Sequence, residues 1–93
     1  MSFSQTFAAL SDPNRQAILD VLRKGEQPVS VIAENLNITL PTLSHHLDIL
    51  KRCGLVSARR AGRQIFYSLN LSVLEEISEA LIKFIGKKKP NKK

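Results

Sequence analysis

Several side chains that can form hydrogen bonds with other molecules lie close together in the middle of the chain. Ser44, His45 and Asp48 provide a hydroxyl, an imidazole and a carboxylate, and His46 and Cys53 lie on the same segment. A hydroxyl and an imidazole can bond to nucleobase edges or to phosphates, whereas an imidazole paired with a thiol could serve in catalysis. The spacing of these residues indicates which chemistry is available.

Residues 40–53 have the pattern of an amphipathic helix. Leu43, Leu47 and Leu50 recur at helical intervals and predict a buried face, and Thr39 is the predicted N-cap. The opposite face carries short polar and small apolar side chains instead of the Glu and Lys pairs of a solvated helix, namely Leu40, Pro41, Ser44, His45 and Asp48. Such a face is suited to reading DNA, because Ser and His can bond base edges and Leu or Pro can contact a thymine methyl group.

The same helix gives no support for catalysis. His46 and Cys53 are seven residues apart, so about 10 Å separates them along a helix axis, which is beyond the reach of a nucleophile and its base. We therefore expect no enzymatic activity and no cofactor, and we interpret His45 as a DNA contact. His46 is expected to be half-buried and Cys53 to be a small core side chain, with a redox role for Cys53 left open.

A group of basic side chains follows after this helix. Over residues 55–69 the apolar residues come to alternate with polar ones, which predicts a two-stranded hairpin. The side chains around its predicted turn are mostly basic: Arg59, Arg60, Arg63 and Gln64. Arginines at the tip of a hairpin are suited to phosphates and to narrow minor grooves.

The remaining patterns place these groups on a mainly helical domain. Helical spacing and caps predict helices near residues 3–10, 13–24, 31–36 and 40–53, and a last helix that starts near residue 70 or 72. Ser30 is the predicted cap of the third helix, and a turn of about three residues joins the third helix to the fourth in a helix-turn-helix arrangement. The predicted fold class is therefore mainly α with a β-hairpin, in the order of four helices, two strands and a helix.

Composition limits the class of protein. The 93 residues, 43% hydrophobic and 24% charged, suit one globular domain, which we place at residues 1–86. The net charge of +6 owes much to a lysine-rich tail at residues 87–93, which holds five of the fourteen basic residues and is expected to be flexible. With one cysteine and no apolar run of the membrane-spanning or signal-peptide type, the chain is expected to be cytoplasmic.

Four sequence motifs follow one another along these elements. They are residues 10–19 (LSDPNRQAIL), 43–50 (LSHHLDIL), 54–56 (GLV) and 62–69 (GRQIFYSL). In their order and spacing, the motifs resemble those of the ArsR/SmtB winged helix-turn-helix regulators, and the resemblance extends over residues 5–85. The Ser-Asp-Pro opening, the Ser-His-His-Leu run and the Tyr-Ser-Leu-Asn ending are closest to the SdpR-type autorepressors of that family.

The resemblance implies a repressor that binds a palindromic operator in double-stranded DNA as a homodimer. The fourth helices would enter successive major grooves, and the hairpin would contact the flanking backbone or minor groove. The DNA contacts predicted from the pattern and the resemblance together are Thr39, Leu40, Pro41, Thr42, Ser44, His45, Lys51, Arg52, Arg59, Arg60, Arg63 and Gln64. The resemblance also implies that a membrane protein of the immunity type relieves repression by capturing the repressor.

The first and last helices carry more apolar side chains than a core of this size readily covers. These residues form the predicted dimer interface: Phe3, Phe7, Leu10, Leu74, Ile77, Leu81, Phe84 and Ile85. The resemblance assigns the interface to the same two helices. A dimer also provides the two recognition helices, about 34 Å apart, that successive turns of a duplex require.

Many members of the resembled family release DNA when they bind a metal, through cysteines of the third helix or through Asp and His of the last helix. Here the third predicted helix has no cysteine and the last has no histidine, while Glu75 and Glu79 alone would make a poor transition-metal site. We therefore expect no metal site. Two alternatives stay open: a protein-interaction adaptor with the same fold, and a metal or small-molecule sensor with a non-standard site.

Overall fold

The computed structural model describes residues 3–88, apart from the side chains of residues 3, 87 and 88, and over this range the chain forms five helices and a three-stranded sheet. The helices are α1 (Phe3–Leu10), α2 (Pro13–Leu22), α3 (Val29–Leu36), α4 (Leu40–Arg52) and α5 (Leu71–Lys88). The strands are β1 (Gln27–Pro28), β2 (Val56–Ala61) and β3 (Gln64–Leu69). Two residues of the predicted tail thus belong to α5, and residues 89–93 lie outside the described range.

Asp12 begins α2 as its N-cap. Its carboxylate accepts hydrogen bonds from the backbone N–H groups of Asn14 (2.8 Å) and Arg15 (3.2 Å), and Pro13 stands at the start of the helix, where no N–H is needed. Desolvation raises the pKa of this carboxyl, but the two backbone hydrogen bonds and the positive charge of Arg15 act together against it and bring the pKa below its ordinary value. The Ser-Asp-Pro motif is therefore a helix start.

One left-handed residue and one cap shape the turn between α3 and α4. Asn37 follows α3 with φ 56°, a conformation that Asn tolerates better than most residues. Thr39 then caps α4, because its Oγ1 accepts a hydrogen bond from the N–H of Thr42 (3.4 Å). The two helices form the predicted helix-turn-helix.

The start of α3 differs from the prediction that Ser30 caps it. The helix begins at Val29, directly after Pro28, and no side-chain hydrogen bond caps it. Pro28 has extended backbone (φ −74°, ψ 155°) and ends strand β1. Pro28 occupies the N-cap position, so the helix begins earlier in the chain than predicted. Ser30 therefore lies inside the first helical turn.

The predicted hairpin is present, with a short third strand beside it. β2 and β3 are antiparallel and pair up to Ala61 opposite Gln64, which leaves Gly62 and Arg63 as a two-residue loop. Gly62 has φ 63°, which glycine adopts readily in such tight loops. β1 pairs with the other edge of β3, giving the strand order β1-β3-β2. A strand of two residues is too short to give an alternating sequence pattern, and it was therefore not predicted.

Helices α2, α3 and α4 enclose the core together with the sheet. The buried apolar residues are Ala9, Ile18, Leu22, Ile32, Leu43, Leu47, Leu50, Leu55, Val56 and Tyr67. α5 packs on this core through its N-terminal half, where Val73, Leu74 and Ile77 are partly buried. The C-terminal half of α5 exposes apolar side chains. Among residues 3–88, no helix is both long and apolar enough to cross a membrane.

Candidate nucleic-acid interface

α4 turns one polar face to solvent, as the spacing of its leucines predicts. Leu43, Leu47 and Leu50 are buried, whereas Ser44 and His45 are exposed. Pro41 and Asp48 are exposed on the same helix as well. His46 is only 7% exposed and is therefore more deeply buried than the half-buried packing residue that the sequence suggested.

The first turn of α4 combines apolar and polar groups in solvent. The side chain of Leu40 is 55% exposed. The hydroxyls of Thr39 and Thr42 lie 3.0 Å apart and are both accessible. Since the N-terminus of a helix carries the positive end of its dipole and the two threonine hydroxyls are accessible, this turn can attract a phosphate beside an apolar contact.

We name the β2–β3 hairpin, residues 56–69, the wing. A groove of about 360 Å³ lies between the N-terminal half of α4 and the wing, and we name it the α4–wing groove. Its lining residues come from α4, from the wing and from the start of α3: Leu40, Ser44, Leu47, Arg63, Gln64, Ile65, Tyr67, Pro28, Val29 and Ser30. Four predicted DNA contacts, two from α4 and two from the wing, thus meet in one groove.

Ile65 and Ser30 were not among the predicted DNA contacts. Ile65 is 36% exposed and lines the groove with its apolar side chain. Strand alternation could have identified it, because Ile65 and buried Tyr67 are two residues apart and share a face of the sheet. Ser30 gave no such signal, since its position depends on how α3 meets the wing.

Arg59 is engaged within the protein. Its Nε and Nη2 donate to the two carboxylate oxygens of Glu26 at 2.7 and 2.8 Å, and its guanidinium carbon lies 4.9 Å from the ring centre of Phe66. The hydrogen bonds from Arg59 lower the pKa of Glu26, so the carboxylate is charged at neutral pH. Of the three arginines that the sequence places around the turn, Arg59 is the one with a carboxylate partner in the described part of the chain.

Arg60 and Arg63 remain available for an external anion. Both are exposed, and neither forms an ion pair with another residue in the range 3–88. Arg60 pairs in register with Ile65. Because successive strand residues point to opposite faces, Arg60 shares the face of the wing that borders the α4–wing groove, whereas Arg59 lies on the other face with Phe66.

Asn70 fixes the wing to the end of α4. Its Nδ2 donates to the carbonyl of Gly54 (2.7 Å), and its Oδ1 accepts a hydrogen bond from the hydroxyl of Ser57 (2.8 Å). Its own carbonyl accepts the N–H of Leu74 (3.2 Å) at the start of α5. Asn70 is the last residue before α5, and its side chain therefore connects the first part of β2 to the end of α4.

One acidic group lies near the groove. Burial raises the pKa of Tyr67, and the negative charge of Asp48 adds to this rise. The exposed Asp48 carboxylate can accept a hydrogen bond from a cytosine amino group and repels a phosphate.

Lys51 and Arg52 lie away from the α4–wing groove, at the other end of α4. Roughly 18 Å of helix separates Leu40 from Arg52 at 1.5 Å per residue. Arg52 instead lines a second cleft, of about 330 Å³, between α1 and α4, together with half-buried Cys53 and Gln5. The Sγ of Cys53 lies 3.9 Å from the carbonyl oxygen of Gln5.

The described residues contain no group of three or more His, Cys, Asp or Glu side chains that could hold a metal ion.

The predicted interface residues differ in how far they are covered. Leu10, Leu74, Ile77 and Leu81 are half-buried, while Phe7 (39%), Phe84 (57%) and Ile85 (56%) are exposed. The side chain of Phe3 lies outside the described part of the chain. Two apolar residues of α5 that the sequence reasoning omitted are more exposed still: Leu71 (64%) and Ile82 (65%).

The arrangement of a helix-turn-helix followed by a wing matches known proteins in sequence as well. Residues 12–58 match the family described as "Bacterial regulatory protein, arsR family". The transcriptional repressor SdpR of Bacillus subtilis is 44% identical over 84 residues, which are 90% of this chain and 93% of SdpR. The chain belongs to the arsR family. As such it is a transcriptional regulator with a winged helix-turn-helix DNA-binding domain, and its relatives are regulators and not enzymes.

Other arsR-family proteins share both sequence and fold with this chain. An arsenical resistance operon repressor of Staphylococcus xylosus is 38% identical over 78 residues, covering 84% of this chain and 75% of the relative. The solution structure of the homodimeric winged helix-turn-helix domain of Mb0332 from Mycobacterium bovis superposes with a TM-score of 0.73 at 34% identity, covering 91% of this chain and 78% of that one. The first curated relatives are covered over 50% to 93% of their own length.

Proposed function

We propose that this arsR-family chain is a repressor that binds a palindromic operator as a homodimer and regulates its own gene. The observation that carries the proposal is the α4–wing groove, where the exposed face of the second helix of the helix-turn-helix meets exposed wing arginines. A surface of this kind can contact bases and phosphates at the same time. No metal takes part in the proposed binding.

Each side of the groove has its own role in the proposed complex. The N-terminal half of α4 enters the major groove, where Ser44 and His45 bond base edges and Leu40 contacts a thymine methyl group. Arg60 and Arg63 of the wing bind phosphates or enter the adjacent minor groove. Further contacts at the rim of this surface come from Thr39, Pro41, Thr42, Gln64 and Ile65.

Three of the basic residues predicted from the sequence receive no base contact in this proposal. The guanidinium of Arg59 is bound by Glu26. Lys51 and Arg52 lie at the C-terminal end of α4, outside the α4–wing groove. These two side chains can add attraction for phosphate but no sequence preference.

The proposed dimer forms through α1 and α5. Phe84, Ile82 and Ile85 are exposed apolar residues in the C-terminal half of α5, and a second copy that packs along this helix would cover them. The homodimeric state described for Mb0332 supports the same arrangement. A symmetric dimer presents two α4 helices to the two halves of a palindrome.

The test is DNA binding by the purified protein and its His45→Ala variant. A duplex selected from a random library by the wild-type protein serves as the operator, and a scrambled duplex is the reference. We expect the logarithm of wild-type affinity to fall linearly with the logarithm of salt concentration. His45→Ala should lose roughly tenfold in operator affinity while the affinity for scrambled DNA is kept, and Glu76→Ala, an exposed change on α5, should alter neither.

The outcomes separate the proposal from its alternatives. Unchanged operator preference in His45→Ala would contradict the contact assignment. Absence of any duplex binding at low salt, with a stable monomer in sedimentation, would favour a protein-interaction adaptor that uses the exposed apolar surface of α5. Zinc or arsenite that releases the operator would favour a sensor with a non-standard site, a question raised by the arsenical resistance relative.

Autoregulation and capture at the membrane are tested separately. We expect the selected operator to occur upstream of the protein's own gene, and a reporter fused to that region to be repressed by the protein. A neighbouring membrane protein of the immunity type should relieve repression of that reporter when the two are expressed together. Repression that persists would exclude the proposed capture.

A further inference from the structure

The guanidinium of Arg15, on α2, connects three helices. Its Nε donates to the carbonyl of Ala9 (2.7 Å) and its Nη2 to the carbonyl of Ala8 (3.2 Å), both in the last turn of α1. Its Nη1 lies 3.2 Å from Nδ1 of His46 on α4. One side chain of α2 thus ties the end of α1 to the middle of α4.

The chemistry of this contact defines the state of His46. A guanidinium has only donors, so Nδ1 of His46 must accept the hydrogen bond and carry no proton. A ring that makes this hydrogen bond has its proton on Nε2. Because His46 is only 7% exposed, loss of Arg15 would leave a buried acceptor without its partner.

The anchor lies directly behind the residues proposed to read DNA. His45 precedes His46 on the exposed side of the same helical turn, and its ring centroid is 5.6 Å from that of His46. The end of α4 has a second anchor, where Asn70 binds the carbonyl of Gly54. The contact between Arg15 and His46 is thus a side-chain hydrogen bond that reaches the middle of α4 from another helix.

We propose that Arg15 is a positioning residue for DNA specificity, acting through His46 to hold α4 at a set angle to α1. The inference rests on the proposed DNA-binding function and assigns a role to a residue outside the α4–wing groove. Since α1 belongs to the proposed dimer interface, this contact also sets the relative placement of the two α4 helices in a dimer. The spacing of half-sites that the dimer accepts then depends on Arg15.

The experiment compares the wild-type protein with Arg15→Met and His46→Phe. Affinities are measured for the library-selected operator, for a scrambled duplex, and for the operator with one base pair inserted between its half-sites. We expect each variant to lose about tenfold in operator affinity and to discriminate less between the normal and the widened operator. Affinity for the scrambled duplex and the slope against salt should stay unchanged, because no phosphate contact is removed.

Matched variants separate positioning from loss of charge or fold. Arg23→Met removes an exposed arginine from the end of the same helix, where it pairs with Asp20, and should leave all three affinities unchanged. His46→Asn keeps an acceptor close to the place of Nδ1 and should retain more discrimination than His46→Phe. The double variant Arg15→Met/His46→Phe should be no worse than either single variant, because both remove the same contact.

The possible failures are distinguishable. A wild-type protein without operator preference would overturn the proposed function itself. A wild-type protein with preference and a folded Arg15→Met variant that keeps it would overturn only the positioning role. Equal loss on all duplexes, with a salt slope less steep by about 1.8 for the dimer, would make Arg15 a phosphate contact and overturn the role as well. If Arg15→Met does not fold, His46→Phe decides by the same criteria.

Discussion

Arg59 and Arg60 are adjacent in the chain and have different electrostatic surroundings. The alternation of β2 directs Arg59 toward Phe66 and Glu26, and Arg60 toward the face that borders the α4–wing groove. A guanidinium already bound by a carboxylate has little net charge to offer a phosphate. The wing therefore presents fewer free cations than its composition indicates.

A charge-neutral comparison tests this difference. Arg60→Gln should make the slope of log affinity against log salt less steep by about 1.8 for the dimer, since each of the two protomers loses one phosphate contact. The double variant Glu26→Gln/Arg59→Gln removes a mutually paired anion and cation and should leave the slope unchanged. Glu26→Gln alone should make the slope steeper, because the guanidinium charge of Arg59 then has no carboxylate partner and is free to attract phosphate. Equal effects of Arg60→Gln and of the double variant, measured by titration at several salt concentrations, would contradict the assignment.

At the scale of the elements, the end of α4 determines how the wing meets the recognition helix. Gly54 has φ 76°, its N–H donates to the carbonyl of Lys51 (2.9 Å), and the N–H of Leu55 donates to that of Leu50 (3.0 Å). These two hydrogen bonds form a Schellman motif, which requires a left-handed residue. The chain thereby leaves α4 in the direction that brings the wing alongside it.

Replacing this glycine should therefore be costly. Gly54→Ala has room for a methyl group, with the nearest atom at 3.9 Å, so the expected loss of roughly 1–2 kcal/mol comes from backbone strain. The melting temperature should fall by at least about 4 °C. Gly86→Ala is the matched control: this glycine is helical with ordinary backbone and open space around it, and the change should be neutral or stabilising. Equal melting temperatures for the two variants would exclude the strain argument.

At the scale of the whole molecule, α5 is longer than the core that it covers. Its N-terminal half packs on the core through Val73, Leu74 and Ile77, while Ile82 and Ile85 are exposed further along. Leu71, Ile82 and Ile85 recur at intervals of eleven and three residues, so they lie along one side of α5, next to its packing side. The proposed second copy would cover that face.

The double variant Ile82→Ser/Ile85→Ser should weaken the dimer. Each isoleucine lost from a symmetric interface is lost twice, and burial of such a side chain contributes about 1.5–3 kcal/mol, so the dimer dissociation constant should rise by at least about tenfold. Operator affinity should fall with it, while the melting transition of the monomer is kept. Lys83→Ser, between the two sites, is the control. Sedimentation equilibrium makes the comparison, and an unchanged dimer would place the interface elsewhere.

The sequence by itself determined the elements and their exposed faces. Asp12, Thr39 and the leucines of α4 act within one or two helical turns, so caps and spacing were sufficient to predict the helix-turn-helix and the outward face of Ser44 and His45. The alternation in β3 likewise predicted the hairpin. These signals are local in the chain and need no knowledge of the rest of the fold.

Only the tertiary structure decided which side chains are paired and which are free. Glu26 and Arg59 are 33 residues apart, and Arg15 and His46 are 31 apart. β1 is recognisable as a strand only beside β3. Hydrogen bonds and ion pairs act over a few ångströms, and no local pattern records which distant residues the packed core brings within that distance.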